Sequence, residues 1–478
     1  MVIFFIAKST SFNYASQMKC IIVTSNYDYR NFLNIFQKNR RIHVLIYMVE
    51  YFVNTGRRLY LFEMKGAFQL RFHKKIIGII EDREDLNLSY VAEQIGVSRQ
   101  YMSKFKNKGT IGFPQLLKLA HILNGNEKTA IETMSDWCLE LDTTEAIKQS
   151  FEYACLTRNT LLLERLIQKH SKETGTIREY VEVYTILFNY IKDIIKGSEI
   201  TQELKKIGAT KDKILEILMK IMECYEYYHL KKFNLMLETA EMIELQVRQI
   251  EGDRKSFIKE CYNYRIAELF APIFLQKNNV GLARKYANFL INANVCPKTV
   301  SDAYYILGMS HVLENKELCL VNLEKSYSLS REINDVDIER EARYNLDVAK
   351  IYFEVQLDED ADYRLVLYQK NPLCELSINA LQDIIRDRGD KDFLNYFIAC
   401  STNKIEDLYE LFYRYFNQAN YLFSAMVAKE LCNRGDKSLL TQSMVNFGNE
   451  KQKGVVDIEK ININSLYIIN GTNGRVVV

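Results

Sequence analysis

A short basic segment, residues 98–108, carries the side chains whose chemistry is easiest to interpret. It is rich in arginine, lysine, glutamine and asparagine, and on a helix these would project from one side. Arginine and lysine suit guanine edges, whereas glutamine and asparagine suit adenine. Lys106 and Lys108 are expected at phosphates, which position a protein on DNA without specifying a sequence. The residues predicted to contact DNA are Ser98, Arg99, Gln100, Ser103, Lys104, Lys106, Asn107 and Lys108.

The segment 88–107 has the pattern of two helices joined by a tight turn. Ser89 is predicted to cap one helix and Ser98 the next, which carries the basic face. Gly96 can adopt the left-handed turn between them at low steric cost, and Val97 can fill the angle between the helices. The combination resembles the helix-turn-helix of Cro and repressor-type regulators, whose second helix enters a major groove about 12 Å wide.

Two further helices are predicted around this pair, because one apolar stripe precedes it and another follows it. The stripes consist of Phe72, Ile76, Ile77 and Ile80 in the first helix, and of Leu116, Leu119 and Ile122 in a helix over 113–123. Residues 64–125 carry ten Lys or Arg against five Asp or Glu, which favours an anionic partner. The alternative is that the basic side chains are simply the solvated face of a small helical domain.

The chain from 126 to 440 is predicted to be helical and repetitive. Only 4 Pro and 19 Gly occur in 478 residues, too few for the frequent turns of an all-β fold. Segments 275–282 and 313–320 can be laid over each other 38 residues apart, near the period of tetratricopeptide-like repeats. Stacked helix pairs of that kind leave a concave groove suited to extended peptides. The predicted fold class is therefore all-α, an N-terminal helix-turn-helix domain followed by a tetratricopeptide-like helical solenoid.

Several tyrosines of the predicted solenoid could line this groove, although ordinary helix packing explains them equally. They are Tyr225, Tyr227, Tyr228, Tyr262 and Tyr264.

The two ends of the chain fit neither pattern. Residues 1–62 carry eight Lys or Arg and two Asp or Glu, with neither helical nor strand periodicity. We expect 1–63 to be an atypical extension, either poorly ordered or the product of an early start codon; a basic, aromatic nucleic-acid arm is the alternative. The predicted domains are the extension 1–63, the helix-turn-helix domain 64–125, the peptide-sensing and dimerising solenoid 126–440, and a tail 441–478.

The sequence offers little for catalysis or metal binding. Its ten Cys include no CxxC pair, its six His are scattered, and no phosphate-binding glycine motif occurs. The acidic loop 358–362 lacks the glycine and closing glutamate of an EF-hand. We predict a cytoplasmic protein with no enzymatic activity, no metal, no cofactor and no membrane span.

A longer stretch, from Trp137 to Ala154, resembles the junction sequence of the arbitrium-peptide receptors of temperate phages, the AimR family. There a Cys-Leu-x-Leu-Asp run precedes a helix ending in Glu-Tyr-Ala, and both occur here. The resemblance covers about 64–435. It implies a homodimer that binds operator DNA, controls the lysis–lysogeny decision, and is silenced by a short imported signalling peptide in the solenoid groove.

The resemblance also implies peptide contacts, carried over position by position. Cations fall at Lys148 and Lys298 where the family has groove arginines. The predicted peptide-binding residues are Lys148, Gln276, Lys298, Gln369 and Asn420. Two groove asparagines of the family fall at Pro272 and Met309, which cannot make the same bonds, so a different peptide is expected.

The sequence alone leaves two other functions open. One is a bacterial quorum-sensing regulator of similar architecture with a different set of target genes. The other is a helical-repeat adaptor that does not bind DNA.

Overall fold

A computed structural model of the chain describes six stretches and divides the chain into two compact units, residues 1–71 and 72–478. The described residues are 2–6, 19–23, 47–50, 71–402, 404–445 and 447. The rest of the predicted extension and of the predicted tail lies outside them.

Three short strands form the described part of the first unit. β1 (Val2–Ile6) pairs antiparallel with β2 (Lys19–Val23) and with β3 (Tyr47–Glu50), so the strand order is β2-β1-β3. These strands were not predicted. β1 is a continuous apolar run, and such a run shows neither the alternation of a half-buried strand nor helical spacing.

The second unit is all-helical over its described residues, which confirms the predicted fold class. Its first four helices form the segment that we call the head: α1 (Phe72–Glu81), α2 (Leu88–Gln94), α3 (Arg99–Lys108) and α4 (Phe113–Asn124). The predicted apolar stripe of α1 is buried, with Ile76 1% and Ile80 0% exposed. In α4, Leu116 and Leu119 are buried in the same way, and Ile122 packs against the core.

The turn between α2 and α3 follows the sequence prediction, but one helix cap does not. Gly96 has a φ of +72°, in the left-handed region, and the Ser98 hydroxyl accepts a hydrogen bond from the Tyr101 amide at 3.1 Å. The prediction that Ser89 caps α2 is wrong. Asn87 is the cap, since its side chain accepts from the Tyr90 amide at 2.9 Å, and Ser89 lies within the first turn.

Eighteen further helices follow in the described part of the chain. They are α5 (Glu127–Glu140), α6 (Thr144–Leu156), α7 (Thr160–His170), α8 (Thr176–Ile191), α9 (Ile200–Ile207), α10 (Lys213–His229), α11 (Phe233–Arg248), α12 (Ser256–Gln276), α13 (Val280–Ala293), α14 (Pro297–Met309), α15 (Lys316–Glu332), α16 (Val336–Tyr352), α17 (Tyr363–Lys370), α18 (Glu375–Arg388), α19 (Asp392–Ser401), α20 (Ile405–Asn417), α21 (Tyr421–Asn433) and α22 (Leu439–Val445). Short 3-10 turns precede α9 and α12.

The helices from α6 to α16 pack as two rows. Helices α6, α8, α10, α12, α14 and α16 each contact the next member of the series, and we call them the inner row. Helices α7, α11, α13 and α15 lie between them in sequence and pack against both neighbours. This is the arrangement expected of stacked helix pairs, in which each pair buries its apolar stripes against the next.

Small residues allow the pairs to approach closely, and Gly308 of α14 is the clearest case. A Cβ at this position would lie 2.7 Å from Cγ of Leu323 and 2.9 Å from the backbone oxygen of Cys319, both in α15. Ser301 and Ser326 are buried at the same interface, where the Ser301 hydroxyl donates to the Ser326 backbone oxygen at 2.8 Å. None of the helices described here is long and apolar enough to cross a membrane.

Candidate functional site

The outer face of α3 presents the predicted DNA-contacting side chains. Met102 and Phe105 are 1% and 0% exposed and fix the inward side of the helix. The remaining side follows from helical geometry, because residues three and four apart share a face. The predicted contacts that are solvent-exposed here are Ser98, Arg99, Gln100, Ser103, Lys104, Asn107 and Lys108.

Lys106 differs from the other predicted DNA contacts. It is only partly exposed, and its ammonium group donates to Oε1 of Glu81 in α1 at 2.6 Å. A phosphate contact by Lys106 would therefore share or compete with an existing ion pair. Tyr101 also holds α3 in place, because its hydroxyl accepts a hydrogen bond from the Gly112 amide at 2.7 Å, just before α4.

The head packs directly on the inner row. Phe113, the first residue of α4, lies 4.6 Å from Phe257 of α12 and 6.0 Å from Tyr153 of α6, measured between ring centroids. All three rings are buried. Phe72 of α1 makes a second aromatic contact, at 6.0 Å from Trp137 of α5. Close-packed rings therefore join the head to α6 and α12.

A buried ion pair lies next to this contact. Arg265 of α12 donates from Nε to Oε1 of Glu152 in α6 at 2.6 Å, and Glu152 is 0% exposed. Glu152 also accepts from the Tyr184 hydroxyl of α8 at 2.5 Å, and Nη1 of Arg265 donates to the Tyr225 hydroxyl of α10 at 3.1 Å. Burial opposes the charge of Arg265, but Glu152 outweighs it, and the pKa of Arg265 lies well above its ordinary value. Four inner-row helices meet at this pair.

Tyr225 connects the buried ion pair to partly exposed residues, Tyr190 among them. Its ring stacks on Tyr190 at 5.9 Å, and the Tyr190 hydroxyl lies 3.1 Å from Nε2 of His229. Burial and the charge of Lys298 lower the pKa of His229. We call this region the inner face. It consists of five partly exposed residues that are near enough to act on the pKa of Arg158, Tyr190 or Tyr228, namely Arg158, Tyr190, Tyr228, Glu268 and Asp302.

The inner face combines carboxylates, cations and tyrosines. Thr299 donates from its hydroxyl to Oε1 of Glu268 at 2.8 Å, and burial raises the pKa of Glu268 against the lowering effect of Arg265. Burial likewise raises the pKa of Tyr228, and the charges of Asp302, Asp392 and Glu341 add to the effect. Tyr228 is partly exposed and also packs against the core, so the prediction that tyrosines line a groove stays a prediction.

The other tyrosines of that prediction all take part in helix packing. Tyr262 and Tyr264 are 0% exposed and belong to the packed core. Tyr225 and Tyr227 are partly exposed and pack against it.

Two of the predicted peptide contacts lie at the inner face or beside it. Lys298 forms an ion pair with Asp302 one helical turn on. Asn420 caps α21 and donates to Oδ2 of Asp392 at 3.1 Å. Asn420 is 0% exposed and its side chain is committed to that cap, so direct ligand contact there is disfavoured.

The other three have structural partners or burial elsewhere. Lys148 is 8% exposed, donates to Oδ2 of Asp212 at 2.7 Å and lies over the Tyr180 ring. Gln369 braces the loop before α17, accepting from the Leu357 amide and donating to the Val355 backbone oxygen. Gln276 is 7% exposed at the end of α12, and its Oε1 has no hydrogen-bond partner among the described residues. No hydrogen bond or ion pair in the described part of the chain links these three directly to the inner face.

The acidic loop 358–362 pairs with arginines. Arg343 donates to Asp358 at 3.0 Å and to Asp360 at 2.9 Å, and Arg364 donates to Asp362 at 2.8 Å. A cavity of about 360 Å³ opens beside these pairs, lined also by Arg388. The carboxylates of this loop therefore serve to hold α16, α17 and α18 together.

Sequence reasoning missed the residues at which the inner row converges, notably Glu152, Arg158 and Arg265. Glu152 and Arg265 pair with each other across 113 residues of sequence, and no local spacing signals such a pair. A basic residue in the turn after a helix, such as Arg158, has no distinguishing pattern of its own.

The protein is thus a helical-repeat protein. Its stacked helices from α6 to α16 carry a small helical domain, the head, at their N-terminal side. The family model described as "AimR transcriptional regulator-like" matches residues 130–433, well over half of the chain. The protein therefore belongs to the AimR family, as the resemblance of the 137–154 segment suggested.

Individual relatives agree with this assignment. The AimR transcriptional regulator of Bacillus phage phi3T is 26% identical over 188 residues, covering 38% of this chain and 48% of the relative. The chain spans about half the length of the curated relatives it matches. Two solved structures share the fold at 20% identity. Selenomethionine phAimR has a TM-score of 0.53, and the match covers 78% of this chain and 99% of the phAimR chain. Ligand-bound phAimR has a TM-score of 0.56, and the match covers 69% of this chain and 99% of the phAimR chain.

Proposed function

We propose that the protein is a transcription regulator that binds operator DNA through its head and responds to a short peptide bound at the inner face. The observation that carries the proposal is the packing between the two regions. Phe113 of the head contacts Tyr153 of α6, and the residue before Tyr153 is the buried Glu152. Membership of the AimR family supports the same reading.

On the DNA side, α3 is the reading helix. Its exposed face carries Arg99, Gln100, Ser103, Lys104 and Asn107, whose groups match base edges in the major groove. The Ser98 cap and the Tyr101–Gly112 hydrogen bond hold the helix in a fixed orientation, which base readout requires.

On the peptide side, the inner face offers tyrosine rings, carboxylates and cations on neighbouring helices. Such a surface can bind an extended peptide by stacking and by charge-assisted hydrogen bonds. Lys298 is the predicted contact best suited to a ligand, since it is partly exposed beside Asp302 and His229. Lys148 acts instead through the position of α6 relative to α10, because it pairs with the Asp212 cap.

Regulation follows from the spacing of two heads in a homodimer. A peptide that draws the inner-row helices together shifts α6 and α12, and Phe113 carries the shift to the head. Half-sites on DNA are bound only at a set separation, so a small change in that spacing weakens operator binding. The peptide is thus an off-switch, and in a temperate phage this switch would act on the lysis–lysogeny decision.

The C-terminal helices offer a surface for the homodimer. Tyr409, Tyr413 and Phe416 share one face of α20 and are 42%, 67% and 39% exposed. An exposed apolar face of this kind is typical of a protein–protein contact. Tyr413→Glu should shift the chain from dimer to monomer in sedimentation equilibrium, whereas Arg178→Gln, at an exposed side chain of α8, should not.

Affinity selection from a pool of random 30-base-pair duplexes tests DNA binding by the full chain. Wild type should enrich a two-fold symmetric sequence, and binding should weaken steeply with salt. Arg99→Ala should lose the base preference and keep salt-sensitive binding. Enrichment of no sequence, together with no salt-sensitive binding, would favour the helical-repeat adaptor.

A further inference from the structure

A cavity of about 360 Å³ collects arginine side chains from three successive helices. Arg343 of α16, Arg364 of α17 and Arg388 of α18 all line it, and we call these three residues the arginine cradle. Arg340 of α16 lines the cavity as well. None of the residues that define the inner face lines this cavity, and none of the predicted peptide contacts does, so it is a different part of the fold.

The fold holds the three guanidinium groups of the cradle at the cavity. Their side chains are 17%, 14% and 22% exposed, in chain order. Each guanidinium also lies over a tyrosine ring, close enough for a cation–π attraction. The distances from Cζ to the ring centroid are 5.3 Å for Arg343 over Tyr327, 5.9 Å for Arg364 over Tyr363 and 5.7 Å for Arg388 over Tyr344. Three positive charges are thus placed around one cavity.

The carboxylates that pair with the cradle differ in burial. The side chain of Asp347 is 2% exposed and accepts from Nε of Arg343 at 3.0 Å. The side chain of Asp362 is 18% exposed and accepts from Nη2 of Arg364 at 2.8 Å. The others are exposed, namely Asp358 at 51%, Asp360 at 75% and Asp387 at 62%. Ion pairs with exposed carboxylates are weak, because water solvates the charges and salt screens them. An outside anion can therefore replace the exposed carboxylates.

Arg388 is the member of the cradle with the most donor capacity left. Its guanidinium makes no hydrogen bond with any residue that the structure describes, and Nη2 lies 3.7 Å from Oδ2 of Asp362, too far for one. Asp362 already accepts from Arg364. Arg340 pairs with Asp337, whose side chain is 76% exposed, so this pair is also weak. An anion in the cavity would accept charge-assisted hydrogen bonds from Arg388, which are among the stronger ones in proteins.

The arrangement of the donors favours a phosphate group. A carboxylate presents two oxygens in one plane and suits a single guanidinium fork, whereas a phosphate monoester presents three terminal oxygens in a tetrahedral arrangement. Donors that come from three helices can each reach a different oxygen of such a group. The ring of Tyr363, 76% exposed, lines the same cavity and offers an aromatic surface to the group that carries the phosphate.

We propose that the arginine cradle binds the phosphate group of a small phosphomonoester, which takes the place of the exposed carboxylates. This inference goes beyond the proposed function, because the site lies outside the head and the inner face and requires neither peptide nor DNA. The ester is either a nucleotide, whose base stacks on Tyr363, or a sugar phosphate, which gains little from that ring.

Isothermal titration calorimetry of the full chain tests the proposal, at constant ionic strength and in a buffer without phosphate. The probes are AMP, ribose 5-phosphate, inorganic phosphate and adenosine. The three phosphates are expected to bind at a single site, and adenosine is expected not to bind. Tighter binding of AMP than of ribose 5-phosphate, lost in Tyr363→Ala, assigns the site to nucleotides, whereas equal binding assigns it to sugar phosphates.

Two matched variants in α18 separate the cradle from general effects of charge. Arg388→Gln should weaken phosphate binding at least about 10-fold, as expected for one lost charge-assisted hydrogen bond. Its melting temperature should stay close to that of wild type, because Arg388 makes no hydrogen bond with the described residues. Arg386→Gln is the control, since Arg386 is 72% exposed beside Asp383, and its affinity should be unchanged. Asp360→Asn should strengthen binding, because it removes a carboxylate that competes for Arg343.

Three results would overturn the proposal. The first is the absence of saturable binding by all three phosphates. The second is an equal effect of Arg388→Gln and Arg386→Gln on affinity. The third is weaker binding by Asp360→Asn, which would contradict the exchange of exposed carboxylates for phosphate. Peptide and DNA binding test the proposed function separately, and none of these results bears on it.

Discussion

Neutralising Glu152 should destabilise the protein more than almost any other charge change. The substitution Glu152→Gln keeps the shape of the side chain but leaves Arg265, 4% exposed, without its counter-charge. Breaking a buried pair by removing one partner costs about 3–5 kcal/mol, because a buried charge is left uncompensated. The Tyr184 hydroxyl also loses a charged acceptor, which places the expected cost toward the upper part of that range.

The assay is equilibrium urea unfolding, comparing the free energy of unfolding of each variant with that of wild type. Glu182→Gln is the control, since Glu182 forms an exposed pair with Arg178 one turn away and should cost at most about 1 kcal/mol. The double variant Glu152→Leu/Arg265→Met removes both charges and should be less destabilised than Glu152→Gln alone. Equal effects of Glu152→Gln and Glu182→Gln would refute the view that this pair is a buried junction of the inner row.

Three further predictions concern an acid-sensitive pair, the reading helix and the contact between the regions. Burial alone would raise the pKa of Asp212, but the hydrogen bond and the charge of Lys148, together with backbone hydrogen bonds from Ile214 and Leu215, outweigh burial, and the pKa is lowered. The pair therefore stabilises the fold above the ordinary aspartate pKa of 3.8. In acid titrations the stability difference between wild type and Lys148→Met should disappear as pH falls through the lowered pKa of the folded state. In fluorescence polarisation, Lys106→Ala should weaken binding to all DNA sequences about equally and flatten its salt dependence, whereas Arg99→Ala should change the base preference. A sequence-dependent effect of Lys106→Ala would contradict its assignment to phosphate. Phe113→Ala should lower the free energy of unfolding by about 3–5 kcal/mol. It should also reduce the effect of the peptide on DNA affinity while leaving the affinity for the peptide itself unchanged. If the peptide still changed DNA affinity as much as in wild type, this contact would not be the coupling route.

Local patterns predicted the head well because its features repeat over short distances. The α1 stripe with Ile76 and Ile80, the left-handed Gly96 and the Ser98 cap each depend on residues within a turn or two. The error at the α2 cap was also local. Asn87 and Ser89 can both cap a helix, and the helix begins two residues earlier than a Ser89 cap would place it.

The buried ion pair between the inner-row helices and the availability of the ligand contacts could not be predicted in this way. Glu152 and Arg265 lie 113 residues apart in sequence, and only the stacking of α6 against α12 brings them together. The family resemblance indicated cationic positions, but it could not show that Lys148 already pairs with Asp212 or that Asn420 is buried in a cap. A resemblance gives the residue type at a position, whereas the availability of a side chain for a ligand depends on its neighbours in the fold.

The most direct test of the account is the linkage between the two regions of the full chain. A peptide that the full chain selects from a random pool is titrated calorimetrically with and without the selected duplex, and the duplex is titrated with and without the peptide. If the inner face and the head are coupled, the peptide must weaken DNA binding, and DNA must weaken peptide binding by the same factor. Peptide and DNA affinities that are each unchanged by the other ligand would contradict the proposal that this protein is a peptide-responsive regulator.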